Sequence, residues 1–294
     1  MALDRDTTRI GFIGLGLMGR WMADHIRAAG YAMNVFNRSK YKADPLVEQG
    51  AVWHKTPASL AKESDAIFTI IGFPRDVEEI YLGPSGLIEL SRPGTYLVDM
   101  TTSEPDLAVR IFDAAKAKGL HALDAPVSGG VKGAREAQLT IMVGGEEADF
   151  EAVVPVLELM GASVVYQGKA GSGQHTKACN QIINANTIMG ISEALAYAHR
   201  AGLDIDAVLR SVGKGSAASF HLSNTAPKMA AGDFRPGFKL EHMIKDLEIA
   251  VRGAETFKLV LQGTEVALRN YRQLDSEGGA EDGIQALYKV YRDG

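Results

Sequence analysis

The stretch Gly11–Gly30, GFIGLGLMGRWMADHIRAAG, decides the fold of this 294-residue chain. It continues a short apolar run, and its glycines have the spacing G-x-G-x-x-G ahead of a helical pattern. In such a loop the first glycine allows a tight turn, the second lets a pyrophosphate approach the backbone, and the third lets helix and strand pack closely. The N–H groups that open the helix then face the phosphates. We expect a dinucleotide to bind here, with a purely structural turn as the alternative. The residues concerned are Gly14, Leu15, Gly16, Leu17, Met18 and Gly19.

Short β-rich runs alternate with helical stretches through the first half of the chain. Alternation of this kind predicts a largely parallel sheet covered by helices on both faces. We therefore predict an α/β fold with an N-terminal doubly wound sheet of Rossmann type. The predicted strands are 10–13, 32–36, 66–70, 95–99, 120–124, 139–143 and 163–166, and the predicted helices include 17–29, 106–118 and 147–160.

After Gly171 the strand pattern ends and only helical patterns follow, which predicts an all-α second half. Three glycines fall within the six residues Gly168–Gly173 and indicate a boundary. We therefore predict a dinucleotide-binding domain at residues 1–168 and an all-α C-terminal domain at residues 169–294. The predicted helices are 173–201, 206–211, 240–257, 264–274 and 283–291.

The composition argues against several classes of function. The formal net charge is −5, and no basic stripe is present that would favour nucleic acid as a partner. The single cysteine, Cys179, precludes a disulfide within the chain and fits a reducing cytoplasm. We interpret Cys179 as a buried packing residue. No apolar run reaches the ~18 residues of a membrane span, and no signal-peptide pattern is visible. We expect a cytoplasmic protein without a membrane partner.

The stretch after the second predicted strand bears on the choice of cofactor. Proteins that bind NAD place an Asp or Glu about 20 residues beyond the glycine loop, where it hydrogen-bonds the ribose 2′-hydroxyl. Here Asn37, Arg38 and Ser39 occupy the end of the strand, in NVFNRSK. A cation and neutral donors suit a 2′-phosphate, which a carboxylate would repel. We expect these three residues to bind NADP(H). The alternative is a solvated Arg38 and NAD as the cofactor.

The stretch DAPVSGG, Asp124–Gly130, carries candidate groups for an acid substrate. Ser128 offers a hydroxyl, and Gly129 and Gly130 offer backbone N–H groups. Such a loop can hold a carboxylate without an arginine. An ordinary turn before the next strand is the alternative.

The stretch GSGQHTKACNQ, Gly171–Gln181, places one lysine at the start of a long helical pattern. Lys177, Gln181 and Asn184 recur at i, i+4 and i+7, so they share one face, and Asn180 borders it. A polar face of this kind can line a cleft. From spacing alone, a surface lysine that extends its ammonium into water is the alternative.

Together with KLEHMIKDLEIA, Lys239–Ala250, these motifs are similar to those of the β-hydroxyacid dehydrogenase family over essentially the whole chain. The family includes 3-hydroxyisobutyrate dehydrogenases, tartronate semialdehyde reductases and glyoxylate/succinic semialdehyde reductases. The resemblance implies a Rossmann domain and a helical domain for substrate binding and oligomerisation, in a homodimer or homotetramer. The stretch Val35–Ala51, VFNRSKYKADPLVEQGA, resembles most closely the glyoxylate/succinic semialdehyde reductase branch, which uses NADPH.

The resemblance also implies roles for individual residues. It assigns general acid/base catalysis to Lys177. One position departs from the family pattern, because the second Asn after the lysine is Gln181 here. We expect the hydrogen-bonding role of this amide to remain, in a pocket altered by one methylene. The remaining residues are Ser128, Gly129, Gly130, Asn180 and Gln181 for the substrate, and the glycine loop, Phe73, Pro74, Thr102 and Lys245 for the cofactor.

The implied chemistry is hydride transfer between C4 of the nicotinamide and a carbonyl carbon. Protonated Lys177 stabilises charge on the carbonyl oxygen and donates the proton, and the sequence shows no cluster of metal-ligating residues. We expect an NADP(H)-dependent oxidoreductase that interconverts a small aldehyde acid, glyoxylate or succinic semialdehyde, and its hydroxy acid. The first alternative is a 3-hydroxyisobutyrate or other 3-hydroxy acid dehydrogenase that uses NAD. The second is a non-catalytic dinucleotide-binding module. Lys177 argues against that module and against an imine reductase.

Overall fold

A mixed sheet organises the first part of the computed structural model, which describes residues 3–292. The strands β3-β2-β1-β4-β5-β6 lie side by side and all run parallel. The strand β8 then runs antiparallel to β6 and β7 and parallel to β9. The strands are β1 Arg9–Ile13, β2 Ala32–Phe36, β3 Val52–Trp53, β4 Ala66–Thr69, β5 Tyr96–Asp99, β6 His121–Asp124, β7 Val127–Ser128, β8 Leu139–Gly144 and β9 Gly161–Gly168.

Both faces of this sheet are buried, because successive strand side chains point to opposite sides. Phe68 on β4 and Val98 on β5 pack in the cluster on one face. Their neighbours Ile67 and Leu97 pack in the cluster on the other face. This explains why the strands read as continuous apolar runs rather than as an alternation of polar and apolar residues.

Eight helices among the described residues precede the long helix that follows the sheet. Proline opens several of them at the first turn, where its missing N–H removes no helical hydrogen bond. A short 3₁₀ turn at Lys40–Lys42 follows β2. The helices are α1 Gly19–Ala28, α2 Asp44–Glu48, α3 Pro57–Glu63, α4 Pro74–Leu82, α5 Leu87–Leu90, α6 Pro105–Ala117, α7 Gly130–Arg135 and α8 Glu147–Leu157.

The described residues that follow are helical, and the chain divides into two compact units between Lys177 and Ala178. The second unit has its own apolar core, in which Tyr271 and Met243 are fully buried. A π-turn lies at Asp275–Gly279 and a 3₁₀ turn at Ile284–Leu287. The helices are α9 Ser172–Arg200, α10 Ile205–Val212, α11 Phe220–Asn224, α12 Ala226–Ala230, α13 Leu240–Thr256, α14 Gln262–Leu274 and α15 Tyr288–Arg292.

The predicted fold class is confirmed: a Rossmann-type sheet with helices precedes a helical C-terminal part. Two strands were not predicted, Val52–Trp53 and Val127–Ser128, because each has only two residues and so carries no alternation that sequence can reveal. No helix within residues 3–292 is long and apolar enough to span a bilayer.

Candidate active site

The glycine loop between β1 and α1 has the geometry that its spacing predicts. Gly14 has a φ of +102°, and a Cβ there would lie 2.0 Å from the carbonyl oxygen of Ile70. A Cβ on Gly19 would lie 1.9 Å from the carbonyl oxygen of Gly14. A Cβ on Gly16, by contrast, would meet no atom within 4 Å. Steric contact thus requires two of the glycines, and the third borders open space where a ligand can approach the backbone.

The backbone N–H groups of Gly16, Leu17 and Met18 make no hydrogen bond to any residue that the structure describes. No side chain caps α1, whose N-terminus carries the positive end of the helix dipole. A phosphate group satisfies such donors directly. The residues present therefore fit a dinucleotide.

Asn37 supports this loop from the end of β2. Its Oδ1 accepts from the backbone N–H of Leu15 at 2.9 Å, and its Nδ2 donates to the carbonyl of Ser39 at 3.0 Å. Asn37 was predicted as a cofactor ligand, and the structure gives its amide these two intramolecular partners. The neighbouring Arg38 is exposed and makes no ion pair within residues 3–292. Lys40 lies over the ring of Trp53, with its Nζ 5.0 Å from the ring centroid.

The carboxyl ends of β4 and β5 are joined by side-chain hydrogen bonds. The hydroxyl of Thr69 donates to Asp99 at 2.8 Å, and the hydroxyl of Thr101 accepts from the N–H of Ile71 at 3.0 Å. These bonds fix the backbone just before the predicted cofactor residues Phe73, Pro74 and Thr102, which are half-buried. In an open α/β sheet, ligands bind beyond the carboxyl ends of the strands, where these residues lie.

The predicted substrate loop begins on a strand. Ser128 is the last residue of β7 and pairs with Thr140 of β8. Gly129 and Gly130 follow with φ values of +129° and +62°, a conformation that favours glycine. Gly129 is exposed, and Ser128 and Gly130 are half-buried. The loop therefore offers polar groups to solvent, as a carboxylate site requires.

A buried carboxylate at the end of β6 accepts hydrogen bonds from backbone N–H groups at the start of α9, and in this sense it closes that helix terminus. Asp124 accepts from the N–H of Gly171 and the N–H of Gln174, each at 2.8 Å. Burial raises the pKa of Asp124 to about 6, and the two backbone hydrogen bonds oppose this rise. The side chain of Gln174 adds a second attachment, since it accepts from the N–H of Ser103 and donates to the carbonyl of Thr101.

Lys177 lies one turn beyond this attachment. Its side chain is buried, with 5% of the residue exposed. A lysine is seldom buried to this extent unless its ammonium is paired or has a function. The surface alternative for Lys177 is therefore excluded by its burial.

A cluster of amides follows on α9 in the second unit. Oε1 of Gln181 accepts from Asn180 at 2.7 Å and from Asn184 at 3.0 Å. Nε2 of Gln181 donates to Oδ2 of Asp246 on α13 at 2.6 Å. Oδ1 of Asp246 lies 3.0 Å from Nζ of Lys245, the preceding residue on α13.

The interpretation of Cys179 as a buried packing residue is wrong. Cys179 is exposed, and Ile183, one turn later on the same side of α9, is 65% exposed. Periodicity identifies the residues that share a face, but it does not identify which face is covered. His175 is also exposed.

Three residues of this region were not predicted, namely Asp124, Gln174 and His221. Asp124 stood in the quoted stretch DAPVSGG without a role, because its burial and its partners on α9 exist only in the folded chain. No sequence signal indicates the partners of Gln174 or His221. Among residues 3–292, no group of three or more His, Cys, Asp or Glu side chains is arranged to hold a metal ion.

Two family models match the chain. The NAD binding domain of 6-phosphogluconate dehydrogenase matches residues 9–168, and the NAD-binding domain of NADP-dependent 3-hydroxyisobutyrate dehydrogenase matches residues 171–291. Together with the open glycine loop, these matches define an NAD(P)-dependent oxidoreductase of the class that acts on CH–OH groups.

Curated relatives and a solved structure agree with this class. An uncharacterised oxidoreductase of Bacillus subtilis, YkwC, is 50% identical, covering 96% of this chain and 98% of its own. The 2-hydroxy-3-oxopropionate reductase of Escherichia coli is 38% identical, covering 96% of each. The Mycobacterium tuberculosis 3-hydroxyisobutyrate dehydrogenase, solved with L-serine, superposes with a TM-score of 0.89 at 28% identity, covering 97% of this chain and 99% of its own. The chain belongs to the β-hydroxyacid dehydrogenase family.

Proposed function

We propose that this protein is an NADP(H)-dependent oxidoreductase that interconverts a small aldehyde acid, glyoxylate or succinic semialdehyde, and its hydroxy acid. The observation that carries the proposal is the buried Lys177, one turn beyond a helix start that Asp124 attaches to the sheet. A fixed helix start holds the lysine in one place, and proton transfer requires such positioning.

Lys177 is the proposed general acid and base. When bound, NADPH supplies a hydride to the carbonyl carbon of the substrate. The ammonium of Lys177 then stabilises the developing charge on the carbonyl oxygen and donates its proton to that oxygen. In the reverse direction the neutral amine takes the proton from the hydroxyl group. This role contributes about 10²–10⁴-fold to the rate in enzymes of this kind.

The other residues of the proposed site bind and orient. Ser128, Gly129 and Gly130 hold the substrate carboxylate, and Asn180 contacts the substrate beside the lysine. Gln181 takes a positioning role, because its amide already bonds Asn180, Asn184 and Asp246. The glycine loop, Asn37, Arg38, Ser39, Phe73, Pro74, Thr102 and Lys245 form the proposed cofactor site.

The relatives support a small oxo or hydroxy acid as the substrate class. The E. coli relative is named for 2-hydroxy-3-oxopropionate, and the M. tuberculosis relative for 3-hydroxyisobutyrate. Residues 1–168 are the proposed dinucleotide-binding domain, and residues 169–294 the proposed helical domain for substrate binding and for a cytoplasmic homodimer or homotetramer. An NAD-dependent 3-hydroxy acid dehydrogenase is the second candidate function, and the name of the M. tuberculosis relative favours its substrate class.

The first experiment follows absorbance at 340 nm as the purified protein consumes NADPH or NADH. The substrates are glyoxylate, succinic semialdehyde, 2-hydroxy-3-oxopropionate and methylmalonate semialdehyde. We expect turnover of glyoxylate or succinic semialdehyde with NADPH, and we expect Lys177→Ala to lower kcat by about 10²–10⁴-fold. The exposed Lys214→Ala variant is the control for the loss of a lysine and keeps full activity. Full activity of Lys177→Ala, or activity confined to methylmalonate semialdehyde with NADH, contradicts the proposal.

A substitution of Arg38 tests the preference for NADP(H) over NAD(H), separately from the role of Lys177. A charged hydrogen bond to phosphate is worth about 1.5–3 kcal/mol, so Arg38→Ala should raise the KM for NADPH about 10- to 100-fold. The KM for NADH should not change, because NADH lacks the 2′-phosphate. Lys42→Ala removes an exposed cation four residues further on and serves as the control. Equal effects of Arg38→Ala on both cofactors would show that the residue does not bind the 2′-phosphate.

A further inference from the structure

A buried histidine extends the amide cluster of the second unit. His221, on α11, is 9% exposed and hydrogen-bonds two side chains. Its Nε2 lies 3.2 Å from Oδ1 of Asn184, and its Nδ1 lies 3.0 Å from the hydroxyl of Thr225. Burial lowers the pKa of His221, which favours the neutral ring. The side chains thus form one chain of hydrogen bonds, from Thr225 through His221, Asn184 and Gln181 to Asp246.

Asp246, the last residue of this series of hydrogen bonds, determines which group donates and which accepts in every bond of the series. The Asp246 carboxylate, ion-paired with Lys245, can only accept, so the Gln181 amide must present its NH₂ group there. Oε1 of Gln181 then faces the opposite way and accepts from the NH₂ groups of Asn180 and Asn184.

The same logic continues from Asn184 to the histidine. Because the NH₂ group of Asn184 faces Gln181, its Oδ1 faces His221 and needs a donor. A neutral imidazole donates from one nitrogen only, so the proton lies on Nε2. Nδ1 then accepts a hydrogen bond from the hydroxyl group of Thr225.

We infer that the Asp246 carboxylate fixes the Nε2–H tautomer of His221, and that His221 is a positioning residue that holds Asn184, Gln181 and Asn180 in one orientation for the substrate. The inference rests on the proposed function only for the substrate. The tautomer and the direction of the amides depend on the fold alone.

Asn180 gives this orientation a chemical consequence. One N–H of its NH₂ group donates to Gln181, and its Oδ1 has no donor among residues 3–292. Asn180 therefore offers an acceptor, Oδ1, in addition to the second N–H of its amide. An acceptor binds the hydroxyl group of a hydroxy acid, so Oδ1 of Asn180 suits the alcohol end of the substrate.

The tautomer can be measured without any substrate. Two-bond ¹H–¹⁵N correlations in the ¹⁵N-labelled protein distinguish protonated from unprotonated ring nitrogens, and the missing resonances of His221→Gln assign the ring. We expect the wild type to show Nε2–H alone. Thr225→Val should keep this tautomer, because Asn184 still requires the proton. Asp246→Asn should give a mixture, because the introduced amide can accept or donate. A wild type with Nδ1–H, or an Asp246→Asn spectrum equal to that of the wild type, would overturn the inference.

Two substitutions of His221 then separate positioning from mere packing. The amide nitrogen in His221→Gln reaches the place of Nε2, whereas in His221→Asn it reaches only the place of Nδ1. We expect His221→Gln to keep the KM of the aldehyde acid and His221→Asn to raise it about 5- to 10-fold, the effect of one lost hydrogen bond. The KM for NADPH should stay constant in both. Equal KM values for the acid in the two variants would contradict a positioning role. If the wild type turns over none of the acids, the proposed function fails while the tautomer measurement still decides the inference.

Discussion

Two helix N-termini in the first unit, those of α1 and α9, differ in whether the protein supplies an acceptor for their N–H groups. At α1, the N–H groups of Gly16, Leu17 and Met18 find no acceptor among the described residues. At α9, a carboxylate of the protein itself, Asp124, accepts from Gly171 and Gln174. Both termini carry the same partial positive charge, equivalent to roughly half an elementary charge.

The difference shows how one physical feature serves two purposes. A helix start left open by the protein binds an anion from outside, which suits a dinucleotide phosphate. A helix start closed by a buried side chain binds nothing further but holds its helix in place, which suits the lysine one turn later. Which purpose a terminus serves is therefore decided by whether the chain supplies its own acceptor.

The largest effect should come from a substitution in the glycine loop that precedes α1. In Gly14→Ala, the new Cβ would lie 2.0 Å from a backbone oxygen, at a φ of +102°. Unfavourable φ alone costs about 1–3 kcal/mol, and the overlap adds to it. We expect the free energy of unfolding to fall by more than 3 kcal/mol, which is about the upper limit of that range. Urea denaturation measures this change. A stability within 1 kcal/mol of the wild type would show that the loop tolerates a side chain there.

Gly16→Ala tests whether the same loop binds phosphate, without a steric overlap inside the protein. Its Cβ would meet no protein atom within 4 Å, so stability should be unchanged. The methyl group would occupy the space where a pyrophosphate approaches the backbone. Loss of one such charged contact weakens binding about 10- to 100-fold. Fluorescence titration with NADPH measures the affinity. Unchanged affinity would mean that the phosphates bind elsewhere.

The open terminus could be predicted from the sequence, and the reason is steric. A tight turn and a close helix–strand contact admit only glycine at Gly14 and Gly19, and the approach of a pyrophosphate favours glycine at Gly16. These requirements produce a fixed spacing of three glycines. The same holds for the sheet, because strands buried on both faces leave continuous apolar runs. Lys177 needed the family motif, since spacing alone left it open.

The closed terminus and the amide chain could not be predicted in this way. Asp124 and Gln174 are 50 residues apart in the chain, and their contact exists only once β6 and α9 are in place. The direction of the Gln181 amide depends on Asp246, which is 65 residues away. Either orientation of an amide fits the same residue type, so no local pattern encodes it.

A smaller effect is expected at the start of α9, where the titration of Asp124 should make the stability of the protein depend on pH. Burial raises the pKa of Asp124 from 3.8 in the unfolded chain to about 6 in the folded protein. The folded state therefore binds this proton more tightly, and the resulting stabilisation is present below pH 4 and is lost as the pH rises through 6. Asp124→Asn lacks this titration.

We expect the free energy of unfolding of the wild type to fall, relative to that of Asp124→Asn, by about 2–3 kcal/mol between pH 4 and pH 7. Urea denaturation of both proteins at each pH measures the difference, in which the titration of all other groups cancels. The reverse slope would mean that the N–H groups of Gly171 and Gln174 stabilise the carboxylate more than burial disfavours it. The helix start would then be closed by a permanent charge. Either slope shows which protonation state of Asp124 is favoured at the start of α9, close to Lys177.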